Sequence, residues 1–229
     1  LDEPKVMSLF QNLSALGLQP EQIHGIRLGT LGIPEFGTSF AMQMLFDTKP
    51  QNFTDLCRIS GLSHGTDVYL GNAETLIKEG KCTLGTAICC RDDIMVYLIN
   101  KGMDSEESFS IMEMVRKGKV AKKQCKNWPE WTADMKQHGV PDWYIWSCEK
   151  IKYMFPKGHA VAYVMMAYRV GWYKVYRPLA YYAAYFSIRA KAFSYEKMCQ
   201  GQRHLEEIMD EFNSRKDSLS KMEQDQYGD

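Results

Sequence analysis

Acidic residues are missing from one long stretch of this chain. Between Lys150 and Tyr195 there is no Asp or Glu, although the 229 residues as a whole balance 28 acids against 28 Lys and Arg. The window carries eight bases (Lys150, Lys152, Lys157, Arg169, Lys174, Arg177, Arg189 and Lys191), and the nearest acids, Glu149 and Glu196, lie just outside its two ends. The same window holds 13 of the 28 aromatic residues, and the remainder of the chain carries 20 bases against 28 acids. A cationic, aromatic-rich module in an otherwise acidic protein suits a polyanion that must be gripped and stacked upon. The composition also fits a buried helix pair whose Tyr and Lys side chains reach out to water.

Other absences narrow the field. No CxxC or CxxH spacing is present to hold zinc. The seven cysteines are odd in number and irregularly spaced, and the vicinal pair Cys89-Cys90 is poorly shaped for a disulfide. They read as reduced thiols of a cytosolic protein. The longest apolar stretch, Ala160 to Tyr173, is broken by Arg169 and is too short for a bilayer, so no membrane partner is expected. There is no internal repeat and no low-complexity tract. The chain begins at Leu1 without a targeting leader, which suggests an excised piece or a processed product.

What is present reads as short helices punctuated by Gly and Pro, with few alternating patterns, and predicts a mostly α fold. One helix is expected over 35–48. A second is capped by Asn52 or Thr54 and stops at Gly61; a third is capped by Asn72 and stops at Gly80. A fourth runs from Asp92 to Asn100. Asp104 and Glu107 have the spacing of a capping box, and Gly118 closes the helix they open. Pro129 and Pro141 are expected at first helical positions, and Pro178 separates helices beginning near His159 and Leu179. Five lysines between Lys117 and Lys126 predict an exposed, insertion-like loop, and the tail over 206–229 reads as a solvated helix.

Three segments carry candidate chemistry. The loop 61–67 places Ser63 and His64 between glycines, where a ligand could approach closely. A Ser-His pair suggests nucleophilic catalysis, but neighbouring side chains seldom meet and no third member is evident, so a structural turn is the simpler reading. Arg91 stands at a helix start, free to act as a bidentate phosphate ligand, while Asp92 and Asp93 are suited to capping that helix. Adjacent acids could also chelate magnesium, although phosphoryl-transfer sites draw their ligands from separated positions. In segment 153–160, Pro156 ends one helix and Gly158 gives a joint before the next. Lys157 and His159 flank the new helix start, Tyr163 follows one turn later, and Phe155 is available for stacking. A plain helix–helix corner with solvated Lys and His would read the same way.

Taken in order, these segments resemble the PolC-type alpha subunit of bacterial DNA polymerase III, the family-C replicase of low-GC Gram-positive bacteria. The matching stretches are GTLGIPEFG (29–37), ISGLSHGTDV (59–68), CRDDIM (90–95), MVRKGK (114–119), VPDWYI (140–145) and IKYMFPK (151–157), continuing through His159 to Phe186. The likeness runs over about residues 3 to 205. It implies a helical fingers domain over 1–205, leading through 206–229 toward a following domain. The implied activity is DNA-directed DNA polymerisation in the cytoplasm at the nucleoid, with partners primer–template DNA, dNTP, the rest of the polymerase chain and the replisome. By resemblance Ser63, His64 and Phe155 lie near the nascent base pair, Arg91, Lys157 and His159 hold the triphosphate, and Tyr163 borders the sugar or base. Lys150, Lys152, Arg169, Lys174 and Arg189 are implied contacts to the DNA backbone. The family's magnesium-binding palm aspartates have no match here, so Mg2+ is expected to be held outside this chain and the chain alone to be inactive. Gly158 stands where the family commonly has Ala, Val161 replaces another Ala, Tyr69 replaces Trp, and the lysine stretch is longer than usual. The alternative is a stand-alone helical DNA-binding accessory module without catalysis.

Overall fold

The structure is a computed structural model that describes residues 1–189 and 193–220, apart from the side chain of Asp217. Lys191 of the basic window and the end of the expected tail, 221–229, lie outside the described residues. Twelve α-helices order the described residues: α1 (Pro4–Ser8), α2 (Ser39–Thr48), α3 (Phe53–His64), α4 (Glu74–Lys78), α5 (Arg91–Asn100), α6 (Ser105–Arg116), α7 (Trp128–Gln137), α8 (Asp142–Lys150), α9 (Lys157–Tyr176), α10 (Pro178–Ala184), α11 (Tyr195–Met198) and α12 (Gln202–Arg215). An isolated antiparallel bridge joins Thr66 to Tyr153. The mostly α fold expected from the sequence is borne out. Two compact units divide the chain, one from Leu1 to Val175 and one from Tyr176 onward.

Local capping explains most helix starts. The Thr38 hydroxyl accepts from the Ala41 N–H at 3.2 Å, and Asn52 Oδ1 accepts from the Asp55 N–H at 3.0 Å. Asp104 Oδ1 accepts from both Glu106 and Glu107 N–H at 2.9 Å, fixing α6. Several boundaries differ from expectation: α2 starts at Ser39 rather than at 35, and Pro129 is the second residue of α7 rather than its first. Gly61 does not end α3, which continues to His64. Asn72 caps no helix: its buried amide donates to the carbonyls of Asp67 and Ser147, and its Oδ1 accepts from the Ser147 hydroxyl at 2.7 Å. Pro141 is the N-cap of α8 rather than its first helical residue, with an extended ψ of 151°.

The core of the first unit gathers one side of nearly every helix. Leu9, Phe10, Phe36, Met44, Leu45, Leu56, Ile59, Leu62, Ile94, Leu98 and Ile111 are fully buried, each stabilising the fold by about 1.5–3 kcal/mol. Phe10 meets Phe36 edge-on at 5.1 Å and stacks on Tyr168 of α9 at 6.0 Å. Tyr97 of α5 stacks on the buried Tyr144 of α8 at 4.2 Å. In the second unit, α12 is held along its exposed surface by Arg203–Glu207 and Arg215–Glu211 pairs at 3.1 and 3.2 Å.

Between α8 and α9 the chain runs without helix over 151–156, and helix ends converge on this strip. Thr66, just past α3, donates its N–H to the Tyr153 carbonyl at 2.9 Å and accepts from the Lys152 N–H at 3.0 Å. The Met154 N–H donates to Arg116 O at the end of α6 (3.2 Å), and the Arg91 N–H at the start of α5 donates to Phe155 O (3.1 Å). Such close backbone approach requires glycine. A Cβ on Gly61 would stand 2.5 Å from Cys89 O, and one on Gly118, where φ is +67°, would stand 2.3 Å from Lys152 O. Gly158 is different, because it lies within the first turn of α9 with open space around its Cβ position and is not the joint read from the sequence.

Gly61→Ala and Gly118→Ala are each expected to cost about 2 kcal/mol or more, since backbone must shift at both sites. Gly158→Ala is expected to stabilise by up to about 1 kcal/mol, the helix-propensity difference. Urea unfolding of the three variants reads both signs; a neutral Gly118→Ala would contradict the packing.

Candidate functional site

The strip turns sequence-distant side chains into neighbours. Phe155 lies parallel to His159 at 4.8 Å with 4° between the planes, and His159 in turn meets Tyr163 at 4.5 Å. Tyr153 approaches Phe155 edge-on at 5.4 Å, and His64 does the same at 5.8 Å. The spacing of His159 and Tyr163 by four residues puts both on one face of α9, with Phe155 continuing the row beyond the helix start. Tyr153 and Tyr163 are exposed, so the row of rings borders solvent.

His64 and Ser63 do not form a hydrolytic pair. Ser63 Oγ donates to the Ser60 carbonyl at 3.0 Å and lies 2.7 Å from His64 Nδ1, which itself faces the Ser60 carbonyl at 2.8 Å. A carbonyl can only accept, so Nδ1 carries a hydrogen and cannot take one from Ser63. His64 Nε2 pairs with the Glu35 carboxylate. Glu35 sits at a positive φ of 72° in the loop before α2, and sequence reasoning passed over it because nothing local ties it to His64.

The acids beside Arg91 have separate duties. Asp93 Oδ2 accepts from the Cys89 and Cys90 N–H groups at 3.1 and 3.0 Å, capping α5 as expected. Asp92 Oδ2 instead accepts from the Lys157 N–H at 2.6 Å, the first backbone donor of α9. A carboxylate from α5 therefore occupies the anion position at the start of α9, where the helix dipole favours negative charge. Lys157 Nζ lies 3.6 Å from Asp93 Oδ1. The Arg91 guanidinium lies 4.0 Å from Asp92 and 3.9 Å from Glu113, and its Nε is buried without a hydrogen-bond partner. Hydrogen bonds from Arg116, reinforced by Lys117, hold the Glu113 carboxyl down at about 2, so it stays ionised. The sequence carried no sign of Glu113 as this hub. A cleft of about 580 Å³ opens beside the group, lined by Arg58, Lys81, Asp92, Tyr97, Trp143 and Lys157 among others.

The expected backbone contacts separate. Lys150 Nζ rests 4.3 Å above the Trp146 ring, and Lys152 Nζ pairs with Asp67 at 2.7 Å. Arg169 is exposed on α9 in an apolar groove with Met165, Met166 and Tyr173. Arg189 is exposed in the second unit. Lys174 has to be withdrawn from the DNA-binding group: it is 4% exposed, and its ammonium donates to the carbonyls of Gly29 and Leu31, pinning the 29–37 loop. Burial lowers its pKa to about 8.

Neither Asp92 nor Asp93 is placed as a magnesium ligand, since both carboxylates are spent on helix caps. Among the described residues no group of three or more His, Cys, Asp or Glu could hold a metal ion, and no helix is long and apolar enough to cross a membrane.

Residues 1–139 match the family model of the bacterial DNA polymerase III alpha subunit finger domain. The chain belongs to that finger-domain family. Similar proteins agree: it is 54% identical over 214 residues to the PolC-type DNA polymerase III of Bacillus subtilis (strain 168), covering 93% of this chain and 14% of the relative. To the PolC-type polymerase III of Clostridium perfringens (strain 13 / Type A) it is 53% identical over 220 residues, 96% of this chain and 15% of the relative. To that of Streptococcus thermophilus (strain CNRZ 1066) it is 54% identical over 215 residues, 94% and 15% respectively. The chain thus spans 14–15% of the length of these relatives. The PolC resemblance read from the motifs is borne out.

Lys174 gives a pH test of this fold. Its folded-state pKa lies below the ordinary lysine value, so between about 8 and 10.5 the unfolded chain binds the extra proton and Lys174's contribution to stability rises with pH. Lys174→Met leaves the Gly29 and Leu31 carbonyls without their donor and is expected to cost about 1–3 kcal/mol at neutral pH. The gap between wild type and variant should widen through that window; a pH-independent gap would contradict the buried ammonium.

Proposed function

We propose that this chain forms the nucleotide-facing fingers of a bacterial replicative DNA polymerase, positioning dNTP and primer–template for phosphoryl transfer. The observation that carries this reading is the meeting, on one strip, of a solvent-bordering ring row with two cations at a helix start. Rings stack on any base, and a helix N-terminus flanked by Arg and Lys suits a triphosphate. In this reading the base and sugar lie along Phe155, His159 and Tyr163, with Ser63 and His64 backing Phe155. The phosphates engage Lys157, Arg91 and His159. The orphaned Arg91 Nε gains an acceptor, and the Asp92 carboxylate yields its place to a phosphate oxygen.

Holding both reactants in register is this domain's contribution to rate, since an oriented encounter replaces a bimolecular one. Mg2+ and its aspartates belong outside this chain, whose acids do not fit that role, so the chain alone would be inactive. Lys150, Lys152, Arg169 and Arg189 serve as DNA-backbone contacts, the first two exchanging Trp146 and Asp67 for phosphate. Residues 1–205 would form the fingers, and 206–229 would lead to the next domain. The setting is the cytoplasmic nucleoid, with the rest of the polymerase and the replisome as partners.

In the full-length enzyme, Arg91→Ala and Lys157→Ala are expected to raise the dNTP Michaelis constant about tenfold or more, one lost charge-assisted contact each. Asp92→Asn, which keeps the capping oxygen and removes the competing charge, should lower it. Steady-state kinetics at saturating DNA read all three; unchanged constants in both cation variants would sink the assignment.

A further inference from the structure

The structure assigns a second polyanion contact to the lysine turn between α6 and α7, and we propose that it grips the phosphate backbone of the primer–template. The proposal rests on the polymerase reading above and extends it to a part of the chain distinct from the ring row. The sequence predicted an exposed, insertion-like loop here, and the segment is a non-helical turn with exposed lysines that is closed on itself: Lys119 N–H donates to Met114 O (3.0 Å), Lys122 to Gly118 O (3.1 Å), Lys123 to Val120 O (2.9 Å) and Gln124 to Lys119 O (2.8 Å). Val120 is 5% exposed and anchors the turn in the core, and Gly118 presses on the Lys152 carbonyl.

Clustering of unpaired charge sets this turn apart. Elsewhere in the first unit Lys78, Lys81, Lys117, Lys136, Lys152 and Lys157 lie within 4 Å of a carboxylate, and the exposed lysines without an acidic partner among the described residues, Lys5, Lys49, Lys101 and Lys150, are scattered singly. Lys119, Lys122, Lys123 and Lys126 are exposed and have no acidic partner among the described residues. Four ammonium groups on one short turn repel one another, and this arrangement becomes favourable when an external polyanion neutralises them. Nucleic acid is the polyanion that fits, because the contact of Gly118 with Lys152 places the turn one residue from Tyr153, the first ring of the row. Phosphates on the lysines and bases on the rings would then belong to one strand.

The test uses the full-length protein with all four lysines changed to Gln, and a second variant with all four changed to Arg. Primer–template affinity is measured against salt concentration, with the dNTP Michaelis constant at saturating DNA as the companion measurement. The Gln variant is expected to show a log–log salt slope shallower by about 2–4, since each phosphate contact contributes about 0.7–0.9. The Arg variant should keep the wild-type slope, and the Michaelis constant should not move in either. An unchanged slope and affinity in the Gln variant overturns the proposal. So does a loss confined to vesicles containing phosphatidylserine, which would reassign the turn to a membrane. A raised Michaelis constant with an unchanged slope also overturns it, placing the lysines at the nucleotide instead. Absence of salt-dependent primer–template binding in the wild type would instead defeat the underlying polymerase reading.

Discussion

Six residues between α8 and α9, 151–156, tie several helix ends of this fold together. Their peptide groups bond to Thr66, Arg116 and Arg91, which terminate or begin three different helices. Buried peptide groups must find partners, so the strip cannot move without orphaning groups on all three. Gly118 is the sequence's concession to that crowding, because a Cβ there would meet the Lys152 backbone, while Gly61 answers the separate close approach of Cys89. The ring row and the cation pair inherit their positions from this network rather than from side-chain packing alone.

Electrostatics follow the same plan. The window 150–195 has no acid, yet Lys152 and Lys157 are neutralised in space by acids from other elements, Asp67 for Lys152 and Asp93 for Lys157, with Asp92 at the α9 start. Asp67 is exposed and Asp92 and Asp93 are partly buried, and pairs that border solvent are each worth little in stability. The buried Lys174 is the opposite case, held by carbonyls and unavailable to any ligand. Composition counts both as basic residues of one window; only burial separates them.

Much of this was legible in the sequence. Asn52, Asp104 and the α5 start declared themselves through short-range capping rules, and the long motifs identified the family before any coordinates. The site residues His64, Phe155, His159 and Tyr163 were named one by one, but the ring row was not, because it depends on a strip whose hydrogen bonds reach back as far as Thr66. Glu35, Asp92 and Glu113 took roles that no local spacing encodes. Gly158 was misread as a joint because a glycine near proline resembles one, and Gly61 as a stop because its close neighbour, Cys89, lies 28 residues away in sequence.

Amide hydrogen exchange tests most directly whether nucleotide meets the fingers at the strip, as proposed. In the full-length enzyme on primer–template, adding the correct dNTP should slow exchange chiefly across 151–164 and at 90–93. Slowed exchange elsewhere, with these two segments unchanged while nucleotide is demonstrably turned over, would contradict it.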